Sequence, residues 1–561
     1  MNRNVESHFS ELPHVELQRS IFDRSSTHKT SFDCGSLIPF YVDEVLPGDT
    51  FKVTTSKVVR LQTLLTPVMD NLYLDTYYFF VPNRLVWTHW KEFCGENTAS
   101  AWVPSTTYQI PSISAPSGGF AIGTVADYMG LPTGVNWSNT DSRRPSALPF
   151  RAYAMICDQF FRDENLSSPL NIPTGDSNQT GTNGGSYIND VANGGLPFKV
   201  SKYHDYFTSC LPAPQKGASV TFPLISGRFA PVFASSSSRA LAASEKNSMH
   251  FASSNTSLTA NTNYDATFRA GSTNSGTLQA VGTASTGSPS LFSIYPDNLY
   301  ADLATTVGAV SINELRLAFQ LQKYYERNAR GGTRYTEILR SHFGVTSPDS
   351  RLQRPEYLGG NRVQVNIHEV TNTAQSTNDF LGDLGGKSLT SNIHEDFVHS
   401  FTEHGYVIGV CCLRYDHSYP QGLERFWSRR NITDFYLPVF ANIGEQPVYK
   451  SEIYCDATTI NDNSVFGYQE AWADYRYKPD RVSGEMRPSA SNTLAAWHFA
   501  DHYTAAPTLS DSWIREDKAN VDRTLAVTSA VSNQAFMDVY VKNICTRVMP
   551  MYSIPGLIDH H

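Results

Sequence analysis

The chain has 561 residues with a formal net charge of −9; 17% of its residues are charged and 12% are aromatic. This acidity excludes a protein that coats nucleic acid by bulk electrostatics, and residues 1–30, where four basic residues balance four acidic ones, supply no basic arm. The many Gly (36), Pro (30), Tyr (29) and Phe (31) residues favour short strands joined by long loops over a helical bundle or a disordered chain.

The first part of the chain reads as an arm followed by strands. Residues 1–35 are predicted to form an extended arm, and residues 36–561 a single domain with insertions. Residues 37–67 alternate apolar and polar positions around Pro47-Gly48-Asp49, which predicts a hairpin-like pair of strands. Asn71–Pro82 (NLYLDTYYFFVP) predicts a strand, and residues 84–215 an insertion of loops and short helices with an amphipathic helix over Leu148–Leu166.

Residues 229–289 differ in composition from the rest of the chain. Ser, Ala, Thr, Asn and Gly dominate, with few charges and few large apolar residues. A polar stretch of this length is either disordered or an excursion that contacts something outside the domain, and we favour the excursion. The residues expected to make such outside contacts are Ser235, Ser253, Thr259, Tyr264, Phe268 and Thr277.

Residues 311–362 are predicted to form a helical insertion. Ser311 and Glu314 are spaced as a capping box, and Gly331-Gly332 and Gly344 are placed to end two successive helices. Nine Lys and Arg residues against five acids give the stretch a charge of +4. Charge alone leaves open a nucleic-acid surface, a site for acidic ligands, a subunit interface or a solvated helix pair.

Strand patterns return in the C-terminal half. Asn361–Val370, Tyr406–Arg414, Val448–Cys455 and Phe536–Val548 each alternate or are rich in β-formers. A sheet that joins these strands to those at 36–82 across long insertions is typical of a Greek-key body. The predicted fold class is therefore mainly β: an eight-stranded antiparallel jelly roll of the viral capsid type, with long and partly helical insertions.

The sequence gives little support for catalysis or for a bound cofactor. His394 and His399 are five residues apart, whereas the helical zinc motif needs a spacing of four. No phosphate-binding loop, dinucleotide fingerprint or nucleophile elbow is present, although no pattern excludes a carboxylate pair. We expect no enzyme activity, no metal and no cofactor. Arg425, Arg429 and Arg430, interleaved with Phe426 and Trp427, are either a base-stacking and phosphate-binding group or an aromatic core with ion pairs.

Cysteine usage and hydropathy indicate the compartment. The eight cysteines show no CxxC pair or zinc-type spacing, and we interpret them all as thiols in a reducing environment. Cys411 and Cys412 lie in a strand-like run, so their side chains should point to opposite faces. No signal peptide is evident and no apolar run approaches the ~20 residues of a membrane helix, so we expect cytoplasmic synthesis.

Several motifs together resemble one family. LPFRAYAMICDQFFRDENL (148–166), KYHDYFTSCLPAPQKG (202–217), RGGTRYTEILRSHFGV (330–345), FGYQEAWADYRYKPDRVSGEMR (466–487) and PMYSIPGLIDHH (550–561) are similar to the major capsid proteins of microviruses, in particular the gokushovirus branch. These motifs span nearly the whole chain. The resemblance implies a structural protein of a small phage with circular single-stranded DNA, located in the virion and made in the host bacterial cytoplasm.

The resemblance also implies an assembly and its partners. It implies a jelly-roll subunit in a T = 1 shell of about sixty copies, with a long insertion that rises as a protrusion near the three-fold axes. The implied partners are the subunit itself, a small basic DNA-binding protein, a pilot protein, an internal scaffolding protein, the single-stranded DNA genome and a host surface receptor. The 229–289 loop is the natural candidate for the protrusion.

Two questions are decided at this stage by the family resemblance. In an acidic subunit, the 311–362 stretch is better suited to contact a neighbour's acidic face than DNA, so the expected inter-subunit residues are Arg316, Arg327, Arg330, Arg334 and Tyr335. DNA contact is assigned to Arg425, Trp427, Arg429 and Arg430. The alternative function is a glycan-binding or glycan-cleaving jelly-roll protein, since this architecture also carries lectins and hydrolases.

Overall fold

The computed structural model describes residues 18–97, 107–220, 312–375, 380–461 and 463–552, together with the backbone of four short strands between 232 and 301. The chain divides into two compact units. The larger comprises Met1–Lys216 and Glu326–His561, and the smaller comprises Gly217–Tyr325.

The strands, in chain order, are β1 (Ser20–Asp23), β2 (Ser26–Phe32), β3 (Ile38–Val45), β4 (Thr50–Leu61), β5 (Leu72–Pro82), β6 (Ile113–Ser114), β7 (Gln179–Thr180), β8 (Val232–Ala234), β9 (Phe251–Ser253), β10 (Ile294–Pro296), β11 (Leu299–Ala301), β12 (Glu356–Gln364), β13 (Ile367–Thr371), β14 (Leu384–Ser388), β15 (Thr390–Ser400), β16 (Gly405–Tyr415), β17 (Glu445–Tyr449), β18 (Val465–Glu470) and β19 (Ala535–Arg547). The helices are α1 (Asn83–Val86), α2 (Trp90–Phe93), α3 (Val125–Tyr128), α4 (Leu148–Ile156), α5 (Ile312–Gly331), α6 (Tyr335–Phe343), α7 (Lys450–Ile453), α8 (Asp511–Ile514) and α9 (Ala519–Asp522).

Two antiparallel sheets form the body of the larger unit. The first sheet has the order β15, β4, β19, and β19 pairs on its other side with both β1 and β2. The second sheet has the order β12, β5, β16, β3. The prediction that C-terminal strands pair with N-terminal ones is confirmed, since β19 lies between β2 and β4. The second half of the predicted arm, residues 20–32, is part of the first sheet.

The hairpin predicted for residues 37–67 is wrong. β3 and β4 belong to different sheets, so the turn at Pro47-Gly48-Asp49 crosses from one sheet to the other instead of pairing its two strands. The buried Asp49 accepts hydrogen bonds from Arg547 Nε at 3.0 Å, which fastens this turn to the end of β19. Alternation fixes which residues face a core, but it does not identify the neighbouring strand.

The core between the sheets is mainly apolar, and a second core covers the other face of the second sheet. Phe51, Tyr78 and Val539 lie in the first core. The second packs that sheet against α4 and its neighbours and includes Trp87, Phe150 and Tyr153. The opposite orientation predicted for Cys411 and Cys412 is confirmed, because Cys411 lies in the first core and Cys412 in the second. All eight cysteines are free thiols.

Three further predicted elements need correction, while the strands at 71–82, 406–414 and 536–548 are confirmed. The strand expected over Val448–Cys455 ends at Tyr449, where α7 begins, because Glu452 Oε1 accepts a hydrogen bond from the Tyr449 backbone N–H at 3.0 Å. The helix expected over Leu148–Leu166 is α-helical only to Ile156 and continues as a π-helical turn to Phe161. The strand expected over Asn361–Val370 is divided between β12 and β13.

Candidate interaction surfaces

The basic stretch at 311–362 folds as two helices joined by a glycine turn. α5 ends at Gly331, and Gly332 has a φ of +86°, a conformation that favours glycine. α6 ends at Gly344 in the left-handed conformation. The two predicted helix stops are confirmed, while the predicted cap Ser311 lies outside the described residues.

Two arginines at this turn are engaged within the subunit. Arg330 forms an ion pair with Glu445, and its Nη1 lies 3.5 Å from Glu470 Oε1. Arg334 Nη2 donates to the backbone carbonyls of Asp158 and Arg162, each at 2.9 Å. These contacts join the turn to the π-helical segment after α4 and to β17 and β18.

The carboxylate of Glu164 completes the turn. It accepts hydrogen bonds from the backbone N–H of Thr333 at 2.5 Å and of Arg334 at 3.2 Å, and it pairs with Lys216 Nζ at 3.2 Å. Burial opposes ionisation of Glu164, but the Thr333 N–H and Lys216 outweigh it and lower its pKa. Much of the positive charge near the turn is therefore neutralised inside the subunit.

The other predicted inter-subunit residues differ in position. Tyr335, the first residue of α6, is 65% exposed, and Arg327 on α5 is also exposed. Arg316 lies in the first half of α5, which belongs to the smaller unit. Among these candidates of the larger unit, Arg327 and Tyr335 therefore present free surface, whereas Arg330 and Arg334 fix the turn between the helices.

Three of the four predicted DNA-contact residues, Arg425, Trp427 and Arg429, line an aromatic cleft of about 790 Å³, formed mainly by residues 419–429 and 474–487, and Arg430 directly follows this lining. A 3₁₀ turn over Arg425–Ser428 places Phe426 and Trp427 at the rim with ring centroids 4.6 Å apart. Trp427 is 64% exposed. Buried rings close the cleft from below: Tyr206, Phe207 and Tyr419.

The three arginines of the motif have different environments. Arg425 Nη1 donates to the Pro447 carbonyl at 2.9 Å and lies 3.7 Å from Glu452. Arg429 pairs with Asp474 and stacks on the Tyr475 ring at 4.1 Å. Arg430 is exposed. Arg425 and Arg429 are therefore ion-paired within the subunit, while Trp427 and Arg430 are exposed.

The cleft also contains cations that the sequence reading missed. Lys478 Nζ lies 2.6 Å from Glu424 Oε2, and Arg481 Nε lies 2.8 Å from Glu424 Oε1. Arg487 Nη1 donates to the Pro420 carbonyl at 3.0 Å. These residues belong to the KPDRVSGEMR run (478–487). Its Lys and Arg residues are evident in the sequence, but nothing in the sequence indicates that the run lies beside residues 424–430.

Most residues predicted to lie on the protrusion are not described. Ser235, Thr259, Tyr264, Phe268 and Thr277 lie outside the described residues, and Ser253 is known only as a backbone position in β9. β9 pairs with β10, and β8 with β11, all within the smaller unit.

His394 and His399, whose spacing was compared with the zinc motif, each contact a carboxylate. His394 pairs with Asp396 at 3.0 Å and His399 approaches Glu356 at 3.7 Å, so the two histidines have separate partners. Across the described ranges, no group of three His, Cys, Asp or Glu side chains could hold a metal ion. No helix in the same ranges is long and apolar enough to cross a membrane.

The described part of the chain is thus a mainly β body with antiparallel sheets, an aromatic cleft and exposed helical surfaces. A model of the family described as "Capsid protein (F protein)" matches residues 10–557. The chain is 40% identical to capsid protein VP1 of Chlamydia phage 1, over 99% of this chain and 98% of that protein. It is 42% identical to VP1 of Spiroplasma virus 4, over 94% of each chain, and 37% identical to VP1 of Bdellovibrio phage phiMH2K, over 99% of this chain and 98% of that one.

The chain belongs to this phage capsid protein family, which confirms the resemblance and the structural function predicted from the sequence. The relatives are capsid proteins, which are structural proteins. A capsid protein assembles with copies of itself and is found in the virion.

Proposed function

We propose that the chain is an eight-stranded jelly-roll subunit of a T = 1 shell of about sixty copies that encloses a single-stranded DNA genome. The order of the strands supports this proposal. If β2, β3, β4, β5, β12, β15, β16 and β19 are counted from one to eight, one sheet holds strands 1-8-3-6 and the other 2-7-4-5. This alternation between sheets corresponds to two nested Greek keys.

Electron microscopy of particles from cells that express the full chain tests the shell. We expect closed icosahedral particles of one size. A protein that remains monomeric at high concentration, alone and with its phage partners, would exclude this function.

The partners follow from charge and from the family. An acidic subunit leaves neutralisation of the genome to a separate small basic DNA-binding protein. A pilot protein and an internal scaffolding protein complete the proposed assembly, which takes place in the host bacterial cytoplasm. We assign host-receptor contact to the 229–289 loop, since its charge-poor composition is unlike that of the strands.

Neighbouring subunits meet, in this proposal, at the surface of α5 and α6. Arg327 and Tyr335 provide a contact on the larger unit and Arg316 one on the smaller unit, while Arg330 and Arg334 hold the turn between Arg327 and Tyr335. The support is the exposure of Arg327 and Tyr335 beside the internal pairing of Arg330 and Arg334.

The aromatic cleft is the proposed contact for genomic DNA. The exposed Trp427 offers a stacking surface and Arg430 a phosphate contact, while Arg425 and Arg429 position the turn. Fluorescence anisotropy with a labelled oligo-dT measures this directly. We expect Trp427→Ala to weaken binding about tenfold, within the range for one stacked base. Tyr335→Ala, which removes an equally exposed ring elsewhere, should leave it unchanged; equal effects of the two variants would exclude the cleft.

A further inference from the structure

Residues 432–443 (ITDFYLPVFANI) form an exposed apolar loop, here called the apolar ridge. Its outward side chains are between 38% and 89% exposed: Ile432, Phe435, Tyr436, Leu437, Val439 and Ile443. Asp434 is the one charged residue of the twelve, in a chain with 17% charged residues. Contiguous exposed apolar surface of this kind marks an interaction site.

The apolar ridge is fastened from behind, so its exposure does not result from a loose loop. Trp472 Nε1 donates to the Phe440 carbonyl at 2.8 Å, and the Tyr436 backbone N–H donates to the Tyr475 hydroxyl at 3.2 Å. The Tyr436 ring packs edge-on against Trp472, with centroids 5.7 Å apart. Trp472 itself has a φ of +66°, which a bulky residue adopts only when its surroundings impose it.

Asp434, the one charged residue of the apolar ridge, forms hydrogen bonds within the loop. Asp434 Oδ2 accepts the backbone N–H groups of Arg430 at 2.8 Å and Asn431 at 2.7 Å, and these hydrogen bonds lower the pKa of Asp434. This carboxylate therefore caps a 3₁₀ turn and fixes the loop. Such a loop loses little conformational entropy when a partner binds.

We infer that the apolar ridge docks a second copy of this chain in the shell, an inference that rests on the proposed assembly. Its composition is that of an interface core, rich in aromatic residues and depleted in charge, with Arg429 and Arg430 at its N-terminal rim. It contains no cation, which argues against a phosphate backbone as the occupant.

The size of the apolar ridge also fits a subunit contact. If each of its six large side chains offers roughly half of ~150 Å², the surface is on the order of 500 Å². A standard interface buries ~800 Å² on each partner, so the ridge with its polar rim supplies most of one side. A family that assembles closed shells provides the second copy.

A matched pair of substitutions tests the inference. Val439 is 89% exposed, and Val531, outside the apolar ridge, is 81% exposed. Val439→Asp and Val531→Asp therefore introduce the same charge on equally exposed sites with little effect on folding. We expect Val439→Asp to raise the concentration needed for assembly at least tenfold in sucrose-gradient and light-scattering measurements, with an unchanged melting temperature, while Val531→Asp assembles like the parent.

The outcomes separate the inference from the proposed function. If the parent chain forms no particles, the shell itself is excluded. If the parent and Val439→Asp assemble equally well, the apolar ridge is not an interface. Loss of oligo-dT binding in Val439→Asp with normal assembly would assign the ridge to DNA and overturn the inference. Val439→Ser, which removes apolar area without adding charge, should show a smaller defect of the same kind even if the aspartate variant were insoluble.

Discussion

His417 is a buried histidine held between two carboxylates. Its Nδ1 lies 3.1 Å from both oxygens of Asp501, and its Nε2 lies 2.9 Å from Glu516 Oε1. Burial opposes the charged imidazole, but Asp501 and Glu516 outweigh it and raise the pKa of His417 to about 9. The cluster links the end of β16 to residues 501 and 516, so its charge contributes to the stability of the subunit.

This raised pKa predicts a pH-dependent stability. An unfolded histidine has a pKa of about 6.5, so the folded state retains a proton that the unfolded state loses between about pH 6.5 and 9. The stabilisation is complete below pH 6.5, falls as the pH rises, and amounts to about 3 kcal/mol. Urea unfolding of the subunit at pH 6, 7.5 and 9 should show this decline.

The variant His417→Gln tests the assignment. It leaves the buried Glu516 without its histidine partner and Asp501 with Lys202 alone, whose Nζ lies 3.8 Å away, and it should lower the free energy of unfolding at pH 6 by about 3 kcal/mol. The decline between pH 6.5 and 9 should then disappear. A decline that persists in the variant would mean that another group causes it.

Lys57 is the opposite case, because it is a buried cation with few interactions that offset its loss of hydration. It lies on the inner side of β4, where Nζ donates to Thr76 Oγ1 at 2.8 Å, and burial lowers its pKa. Lys57→Met should raise the free energy of unfolding by about 1–3 kcal/mol, because an apolar side chain of similar length fills the site without desolvating a charge. Lys52→Met, on the exposed side of the same strand, is the control and should change stability by less than about 0.5 kcal/mol. A destabilised Lys57→Met would show that the amine is required.

At the scale of elements, substitutions at and near the α5–α6 turn should affect folding and assembly separately. Arg334→Glu removes two hydrogen bonds to buried carbonyls and places a carboxylate beside Glu337 and Glu164. It should destabilise the subunit by about 3 kcal/mol in thermal or urea unfolding. Arg327→Glu changes an exposed side chain of the same helix pair and should leave the melting temperature unchanged while it impairs particle formation. Reversed results would move the proposed contact from Arg327 to the turn.

Local sequence patterns predicted helices and strands better than they predicted which strands are neighbours in a sheet. The ends of α5 and α6 could be predicted because Gly332 and Gly344 follow these helices with a positive φ, and glycine adopts that conformation without strain. The placement of β3 and β4 in different sheets was not a local property. The turn between them contacts Arg547, almost five hundred residues away, through Asp49, and no alternation pattern contains that contact. The start of α7 at Lys450 was recognisable in principle, since Glu452 stands at the position from which it can cap Tyr449.

The candidate surfaces show the same difference between what local patterns predict and what depends on distant residues. Arg425–Arg430 was identified from its mixture of arginine and aromatic residues, and the structure places it at a cleft. Which of its cations are neutralised depended on Glu452 and Asp474, which come from other segments. The apolar ridge was visible as a charge-poor stretch, but only the contacts of Trp472 and Tyr475 show that its side chains are held outward.

At the scale of the whole molecule, the chain divides into two compact units. Residues 217–325 form their own compact unit, and the larger unit encloses its cores with residues before 217 and after 325. None of the described strands in the long connection between β5 and β12 pairs with a strand of the two main sheets. Loops inserted in this way tolerate large changes without loss of the fold.

Deletion of Ser235–Thr283 with a short glycine bridge tests the proposed role of the protrusion. The deletion retains β8 and β11, which pair with each other, and removes β9, the partner of β10. The larger unit should keep its melting temperature to within a few degrees, and particles should still form, whereas adsorption to host cells should fall by an order of magnitude or more. An equal deletion within the cores could not be tolerated, because it would expose apolar surface worth roughly 25 cal/mol per Å². If the shortened chain folds but fails to assemble, this segment makes subunit contacts; if it adsorbs normally, another surface binds the receptor.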